Sequence, residues 1–509
     1  MSARRVDLTQ GPLLRGALYL AVPAALQAFV THLYGLQDYF FVGRLGDAEQ
    51  TAALSAAFGV LLVQQTLLAM MGFGASTLIA QQTGRGREDD VGHTFAQAAL
   101  GAVVSGLVLG ALCALLLDGL LALANVTEGV AGHARRYVGV LLLASPVIAL
   151  LRVVQGTYRA RGNTTVPLRL EVLALTINAV ASAGLTWGLW GLPRLEILGA
   201  ALGTSLSFVL PTLLALRWIV RGGLGFCVGA SSWVRVDLGC QRALVRIGAF
   251  ASLAGVVYGV IYFLLNRLAG VLGPEAQGGL GVGLRGVEWI AFAIAEGFLI
   301  ACMPWMGQNL GAGDWRRALR GTWALAGLSA VGVQTIGVAF FVAPEWLAAW
   351  VAPDAETLGY AVRYLWIMSF AMWAVGVEMV LYGALIGAGL TRQALVLSLV
   401  TNGVRIPLAC WMLFGPEVWA GVAWTLGMTG EPPPATGTFD AIAWAIALSA
   451  MVKALAYALW VRLWDWERWS ARLTLQATRW EPTQRDGVER RGGVGTGHVR
   501  AEQARGGDP

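Results

Sequence analysis

Charge is what this 509-residue chain has least of: Asp, Glu, Lys and Arg make up 13% of it, about half the share of a water-soluble domain. That scarcity excludes a soluble globular fold of this size. Lysine is nearly missing, with Lys453 alone, so the formal net charge of +6 is an arginine excess. The five cysteines (Cys113, Cys227, Cys240, Cys302, Cys410) have no C-x-x-C spacing and no neighbouring histidines, which argues against a metal site or a disulfide framework. No His, Cys or paired Asp stand at catalytic spacing, so an intramembrane enzyme is not expected, and no cofactor is implied.

Apolar length is what the chain does have: 57% of its residues are hydrophobic and the mean hydropathy is +0.63. Runs of about 20 apolar residues, separated by Gly, Pro and charge clusters, predict an all-α polytopic membrane protein. Twelve transmembrane helices are expected near 16–42, 52–80, 93–122, 137–158, 167–191, 197–219, 244–271, 279–307, 319–350, 360–386, 394–415 and 439–463. The opening "MSARRVDLTQGP" is polar and the apolar segment after it is too long for a signal-peptide core, so the first helix is expected to stay as an anchor.

Arginines gather in the even-numbered loops and their flanks, from Arg85 and Arg87 through Arg159 and Arg161 to Arg392. The odd-numbered loops hold fewer, with Asp47, Glu49, Glu128, Glu345, Asp354 and Glu356 among them. The positive-inside rule then puts both termini in the cytoplasm of a multi-pass protein of the inner (plasma) membrane. The charge excess reports on topology, with the bilayer as partner and no nucleic acid. After Arg462, "LWDWERWSARLTLQATRW" suits an interfacial helix, and the tail beyond about Trp480 reads as disordered and solvated.

The chain repeats itself. At a constant shift of 227 positions, Gly43 matches Gly270, Gln81 matches Gln308, Gly84 matches Gly311, Arg136 and Tyr137 match Arg363 and Tyr364, and Gly162 matches Gly389. Each half carries six helices, so the halves enter the bilayer from the same side as parallel repeats, the build of a secondary transporter with a central cavity. The expected division is a cytoplasmic N-terminus over 1–15, a six-helix bundle over 16–222, a cytoplasmic linker over 223–242, a second bundle over 243–463 and a tail over 464–509. The corners "AQQTGRGRED" and "GQNLGAGDWRRA" need glycine for tight turns, and phosphate binding there would require a preceding strand.

Buried charge is the functional signal in such a chain. Asp38 stands six residues, about 9 Å of helix, before Arg44, in the outer half of the first helix. From the residues alone it is either an interfacial carboxylate paired with a loop arginine or an ion site. Glu288, Glu296, Glu378, Arg405 and Lys453 lie within second-half helices, and some of them should pair across the cavity or bind substrate. His32, about 120° from Asp38 around the helix, reads as a packed polar residue.

"YGLQDYFFVGRLG", "GQNLGAGD", "RGNTTVPLRLEVLALTIN" and "RIPLA" together resemble the multidrug and toxic compound extrusion (MATE) family of antiporters, from about Leu8 to Arg462. The resemblance implies a V-shaped pair of six-helix bundles that exports amphiphilic or cationic drugs or metabolites by alternating access, as a monomer, against inward proton or sodium flow. It implies an ion-coupling role for Asp38 with Asn178, and Ser182 and Thr204 complete that set. Many relatives carry a second Asp where this chain has Ser182, so one carboxylate rather than two favours protons over sodium. A lipid-linked precursor flippase is the alternative; its phosphates would call for an arginine-rich cavity, and few central arginines are expected here.

Overall fold

In the computed structural model, residues 7–123, 127–352 and 354–478 are described, and among them all regular structure is helical. Ten helices are long and apolar enough to cross a bilayer, and two bent pairs complete a set of twelve. In the first half these are α1 (Leu13–Gly43), α2 (Ala48–Gly84), α3 (Glu88–Leu123), α4 (Glu128–Leu143 and Ser145–Ala160), α5 (Thr165–Trp187) and α6 (Ile197–Val220). The second half has α7 (Leu238–Ala269), α8 (Pro274–Gly311), α9 (Trp315–Val342), α10 (Ala355–Ser369 and Met372–Gly387), α11 (Thr391–Thr425) and α12 (Phe439–Leu463). A thirteenth helix, α13 (Trp466–Thr478), stands where the Trp-rich stretch predicts one. The tail beyond Thr478 lies outside the described residues. The stretch expected as linker contains a short helix, Ala230–Val234, and the first turns of α7.

Local chemistry places the helix starts. Asp47, Asp237, Asp314 and Asp354 each accept a backbone N–H of the first turn of α2, α7, α9 and α10. Gly162 and Gly389 follow α4 and α10 at φ 75° and 78°, a backbone conformation that side chains disfavour. Pro23 inside α1 has no N–H for the carbonyl of Tyr19, and the Thr164 hydroxyl donates to that carbonyl at 3.5 Å, tying α1 to the start of α5.

The 227-residue shift survives in three dimensions. The bends of α4 (50°) and α10 (64°) fall at Ala144 and Ala371, which match under it. At one end of the molecule the halves meet in a near-symmetric clasp. The Gln81 amide donates to the carbonyl of Gly387 at 3.1 Å, and its mate Gln308 donates to the carbonyl of Ala160, the mate of Gly387, at 2.6 Å. Gly84 packs on the backbone of Gln308 and Gly311 on that of Gln81, so closely that a Cβ at either glycine would collide with the opposing carbonyl. The glutamines and glycines expected only to shape turns therefore hold the halves together.

The described ends of the chain gather at the same place. The carbonyl of Leu8 accepts from Asn309 and Arg317 at 3.3 Å each, and that of Leu473 accepts from Arg85 at 3.1 Å. The second part of α2 packs on α7 and α8, and α1 packs on both α5 and α8. Helix α1 therefore touches both halves.

Candidate functional site

Two polar centres are built on this frame. The first is buried in the first half. Asp38, on α1, is 5% exposed. The Tyr137 hydroxyl, from the first segment of α4, donates to its Oδ2 at 2.5 Å. Thr204 Oγ1, from α6, donates at 3.2 Å to Oδ1 and 3.3 Å to Oδ2. Asn178 Nδ2, on α5, donates to Thr204 Oγ1 at 2.7 Å, and Ser182 Oγ donates to Asn178 Oδ1 at 3.2 Å. Four residues singled out in the sequence, Asp38, Asn178, Ser182 and Thr204, thus form one connected network. Among the described residues Asp38 makes no ion pair with a loop arginine; its hydrogen bonds come from hydroxyls, and the nearby amide reaches it through Thr204.

Tyr137 belongs to this network and was weighed in the sequence only as part of the repeat. Its position under the repeat is a signal, since a tyrosine held at one register in both halves has a common task. Glu171 was also missed. It lies two turns before Asn178 on the same face of α5, 2% exposed, and accepts from Gln155 Nε2 at 2.7 Å, Thr31 Oγ1 at 3.0 Å and Gln27 Nε2 at 3.4 Å. An acid in the apolar run "LRLEVLALTIN" is the sign that could have found it.

The second centre is a cavity of about 470 Å³ between the halves. Helices α1, α2 and α4 contribute Gln27, Thr31, His32, Phe58, Phe73, Arg152 and Arg159; the second half contributes Tyr258, Tyr262, Arg285, Glu288, Trp289, Phe292, Glu296, Glu378, Arg405 and Lys453. All five second-half charges predicted to lie inside are on this wall. Glu378 and Lys453 pair at 2.7 Å, with both side chains buried, and Lys453 Nζ also donates to Asn402 Oδ1 at 3.4 Å. Pairing offsets the high cost of either charge alone in low dielectric.

Glu288 follows a π-helical turn, Val282–Val287, and accepts from the Tyr364 hydroxyl at 2.5 Å. Some of these charges were expected to pair, and Glu378 with Lys453 does; Arg405 makes no ion pair among the described residues. Its Nε donates to Ser449 Oγ at 2.7 Å, and its guanidinium lies 5.3 Å over the Tyr262 ring. His32, expected as a packed polar residue, packs with its ring 4.2 Å from that of Trp289 and also lines the cavity, 3.7 Å from Glu296 across the halves. The expectation of few central arginines is also corrected, since Arg152, Arg159, Arg285 and Arg405 all face this space. Arg159 had been counted with the loop flanks, but α4 runs past it to Ala160 and turns it inward.

Asp38 is not on the cavity wall, whereas Gln27, Thr31 and His32, earlier on the same helix, are. Helix α1 therefore links the carboxylate network to the cavity.

Comparison with known proteins agrees with this architecture. The MatE family model matches residues 23–183 and again 251–411, more than half of the chain, in two copies whose spacing follows the repeat to within one position. The chain is 24% identical over 424 residues to a probable multidrug resistance protein NorM of Thermotoga maritima, covering 81% of this chain and 88% of that protein. It is 25% identical over 406 residues to an FAD transporter of Shewanella oneidensis, covering 78% and 87%. Among solved structures it is similar to a MOP superfamily transporter from Pyrococcus furiosus, described as having a binding pocket of reversed polarity. That match has a TM-score of 0.80 and 19% identity, and covers 92% of this chain and 99% of that one.

Proposed function

The chain belongs to the MatE family, and from that premise we propose that it exports small amphiphilic molecules across the plasma membrane in exchange for an inward-moving ion, a proton in preference to sodium. The observation that carries the reading is the layout of α1: a buried carboxylate held by Tyr137 and Thr204 at one level, and the cavity residues Gln27, Thr31 and His32 at another. Ion and substrate then have separate sites on one rigid element. Multidrug resistance proteins among the relatives support export as the direction of transport.

The coupling follows from differential affinity. A ligand shifts a two-state equilibrium only by the difference in its binding to the two states. Protonation of Asp38 removes the negative charge that the Tyr137 and Thr204 hydroxyls solvate, so the network that fixes α1 against α4 and α6 loosens. Because α1 also packs on α8 and carries part of the cavity wall, the repacking weakens the hold on substrate. One carboxylate with hydroxyl donors on both its oxygens suits a proton better than a desolvated sodium ion, which requires several free oxygen ligands.

With the arginine-rich loops cytoplasmic, the Gln81–Gln308 clasp closes the cytoplasmic side and the conformation is outward-open, the state in which Asp38 would load. The test is transport in proteoliposomes with proton and sodium gradients imposed separately, for the wild type and Asp38→Asn. Proton-driven efflux that disappears in the variant is expected. Wild-type rate and coupling in Asp38→Asn would refute the assignment.

A further inference from the structure

The cavity's hydrogen-bonding capacity is lopsided. Two of the three carboxylates on its wall are already engaged by the chain, Glu378 with Lys453 at 2.7 Å and Glu288 with Tyr364 at 2.5 Å, while Glu296 has His32 at 3.7 Å, beyond hydrogen-bond distance. The arginines are the reverse. Arg152 and Arg159, both on α4, have no hydrogen bond and no carboxylate within ion-pair distance among the described residues, and Arg159 Nε is a buried donor without a partner. Arg285 lies over the face of Phe58 at 4.8 Å with no hydrogen bond or ion pair among the described residues, and Arg405 keeps a buried Nη1 unpartnered.

Arg152 and Arg159 are seven residues apart, two helical turns, so both guanidiniums project from one side of α4. They lie within electrostatic range of each other. Glu171 and Glu296 are close enough to offset part of that charge; Glu296 stays beyond ion-pair distance, and Glu171 stands behind the wall with its oxygens taken by Gln155, Gln27 and Thr31. Both therefore temper the field and leave the donors unfilled. An unsatisfied buried guanidinium is costly, and the group that answers it is a planar or tetrahedral oxyanion, which accepts two parallel N–H bonds from one arginine.

The opposite wall is aromatic. Tyr258 and Tyr262 lie with ring centroids 4.5 Å apart, and Trp289 meets Phe292 edge-on at 5.5 Å. These rings offer a surface for a flat ligand body, and the volume of about 470 Å³ is that of a site for a drug-sized molecule.

We propose that the cavity is an anion site: Arg152 and Arg159 bind the carboxylate, sulfonate or phosphate of an aromatic amphiphile whose ring system rests on the Tyr258–Trp289 wall. This deepens the exporter reading and rests on it for the direction of movement. It replaces the cationic substrates that the family resemblance implies with anionic or zwitterionic ones, because two of the wall's three carboxylates are engaged within the chain and the α4 guanidiniums are not.

The test compares two dyes that share a xanthene ring and differ in charge, anionic fluorescein and cationic rhodamine 6G. Binding to the purified full-length protein in nanodiscs is read by fluorescence anisotropy, and efflux by proteoliposomes. Fluorescein is expected to bind more tightly than rhodamine 6G. The R152Q/R159Q double variant should weaken fluorescein at least about tenfold and leave rhodamine 6G unweakened, while R152K/R159K, which keeps the charge and loses the planar fork, should weaken fluorescein less than the glutamine pair does. The lysine variant also controls for misfolding, since a glutamine variant that fails to fold leaves wild type and lysine variant to be compared with rising salt, which should weaken fluorescein alone. Tighter rhodamine binding, or fluorescein binding indifferent to the glutamine pair or to salt, would overturn the anion site while leaving export intact. Arginine-dependent fluorescein binding without efflux of either dye would support the site and remove the exporter reading.

Discussion

Tyr137 and Tyr364 occupy one register of the two halves, and each donates its hydroxyl to a buried carboxylate at 2.5 Å. The carboxylates are not equivalent. Asp38 comes from the first helix of its half and Glu288 from the second helix of the other, where Leu265 and Leu61 stand at the matching positions. The Gln81–Gly387 and Gln308–Ala160 bonds, by contrast, obey the repeat on both sides. Contacts that join backbone to backbone-anchored amides have stayed symmetric, because both bundles need the same closure. Charges have diverged: besides Asp38 and Glu288, Arg152 and Arg159 of the first half have Met379 and Ile386 at the matching positions.

The sharpest way to break this comparison is to remove one acid at a time. Asp38→Asn should lower gradient-driven transport by roughly a hundredfold or more, the scale on which loss of a proton-carrying group acts, whereas Glu288→Gln should alter substrate affinity and keep coupling; flux at several imposed pH gradients separates the two. Next in size, Lys453→Met leaves Glu378 as an unpaired buried charge and should cost about 3–5 kcal/mol of stability, with most of it recovered in Lys453→Met/Glu378→Leu, measured by thermal unfolding in detergent.

The tyrosines sharpen it further. Tyr137→Phe and Tyr364→Phe each delete a hydrogen bond to a carboxylate, worth about 1.5–3 kcal/mol, but only Tyr137→Phe should shift the pH dependence of transport. The clasp should respond symmetrically: Gln81→Ala and Gln308→Ala remove one neutral bond each, about 0.5–1.5 kcal/mol, and should raise cysteine accessibility at that end to similar extents. Unequal effects would mean that the halves do not share the closure.

The smallest effect is expected at the helix starts. Thr127 caps α4 through Val130 N–H, and at the matching position Asp354 caps α10 through Thr357 N–H at 2.8 Å. Hydrogen bonds from the backbone and hydroxyl of Thr357 hold the Asp354 carboxyl below its ordinary value of 3.8. A depressed acid stabilises the folded state above its unfolded value and loses that contribution as pH falls through the folded one. Below about pH 4 the start of α10 should therefore loosen while that of α4 does not, and Asp354→Thr should abolish the small extra fall in unfolding temperature.

Much of the site was legible because a polar residue in an apolar run is conspicuous. Asp38, Asn178, Glu378 and Lys453 all stand out in this way and all are buried. Glu171 carried the same signal and was passed over beside the turn motif that precedes it. Arg159 was not legible as a cavity residue, since an arginine at a helix end reads as a loop flank, whereas Arg152, inside the helix expected over 137–158, carried the polar-in-apolar signal and was passed over. Nor does the sequence tell whether Arg405 meets a carboxylate or a hydroxyl, since Ser449 reaches it from 44 positions further on.

Composition and periodicity by themselves determined the helical membrane class, the number of spans and the twofold repeat. These depend on summed hydrophobicity and on residue spacing, quantities that a linear chain carries in full. Which charges are paired and which are left open was decided only by tertiary packing. A hydrogen bond fails over an ångström, and Tyr137 and Asp38 are 99 residues apart in the chain and Lys453 and Glu378 75, separations that only the fold closes.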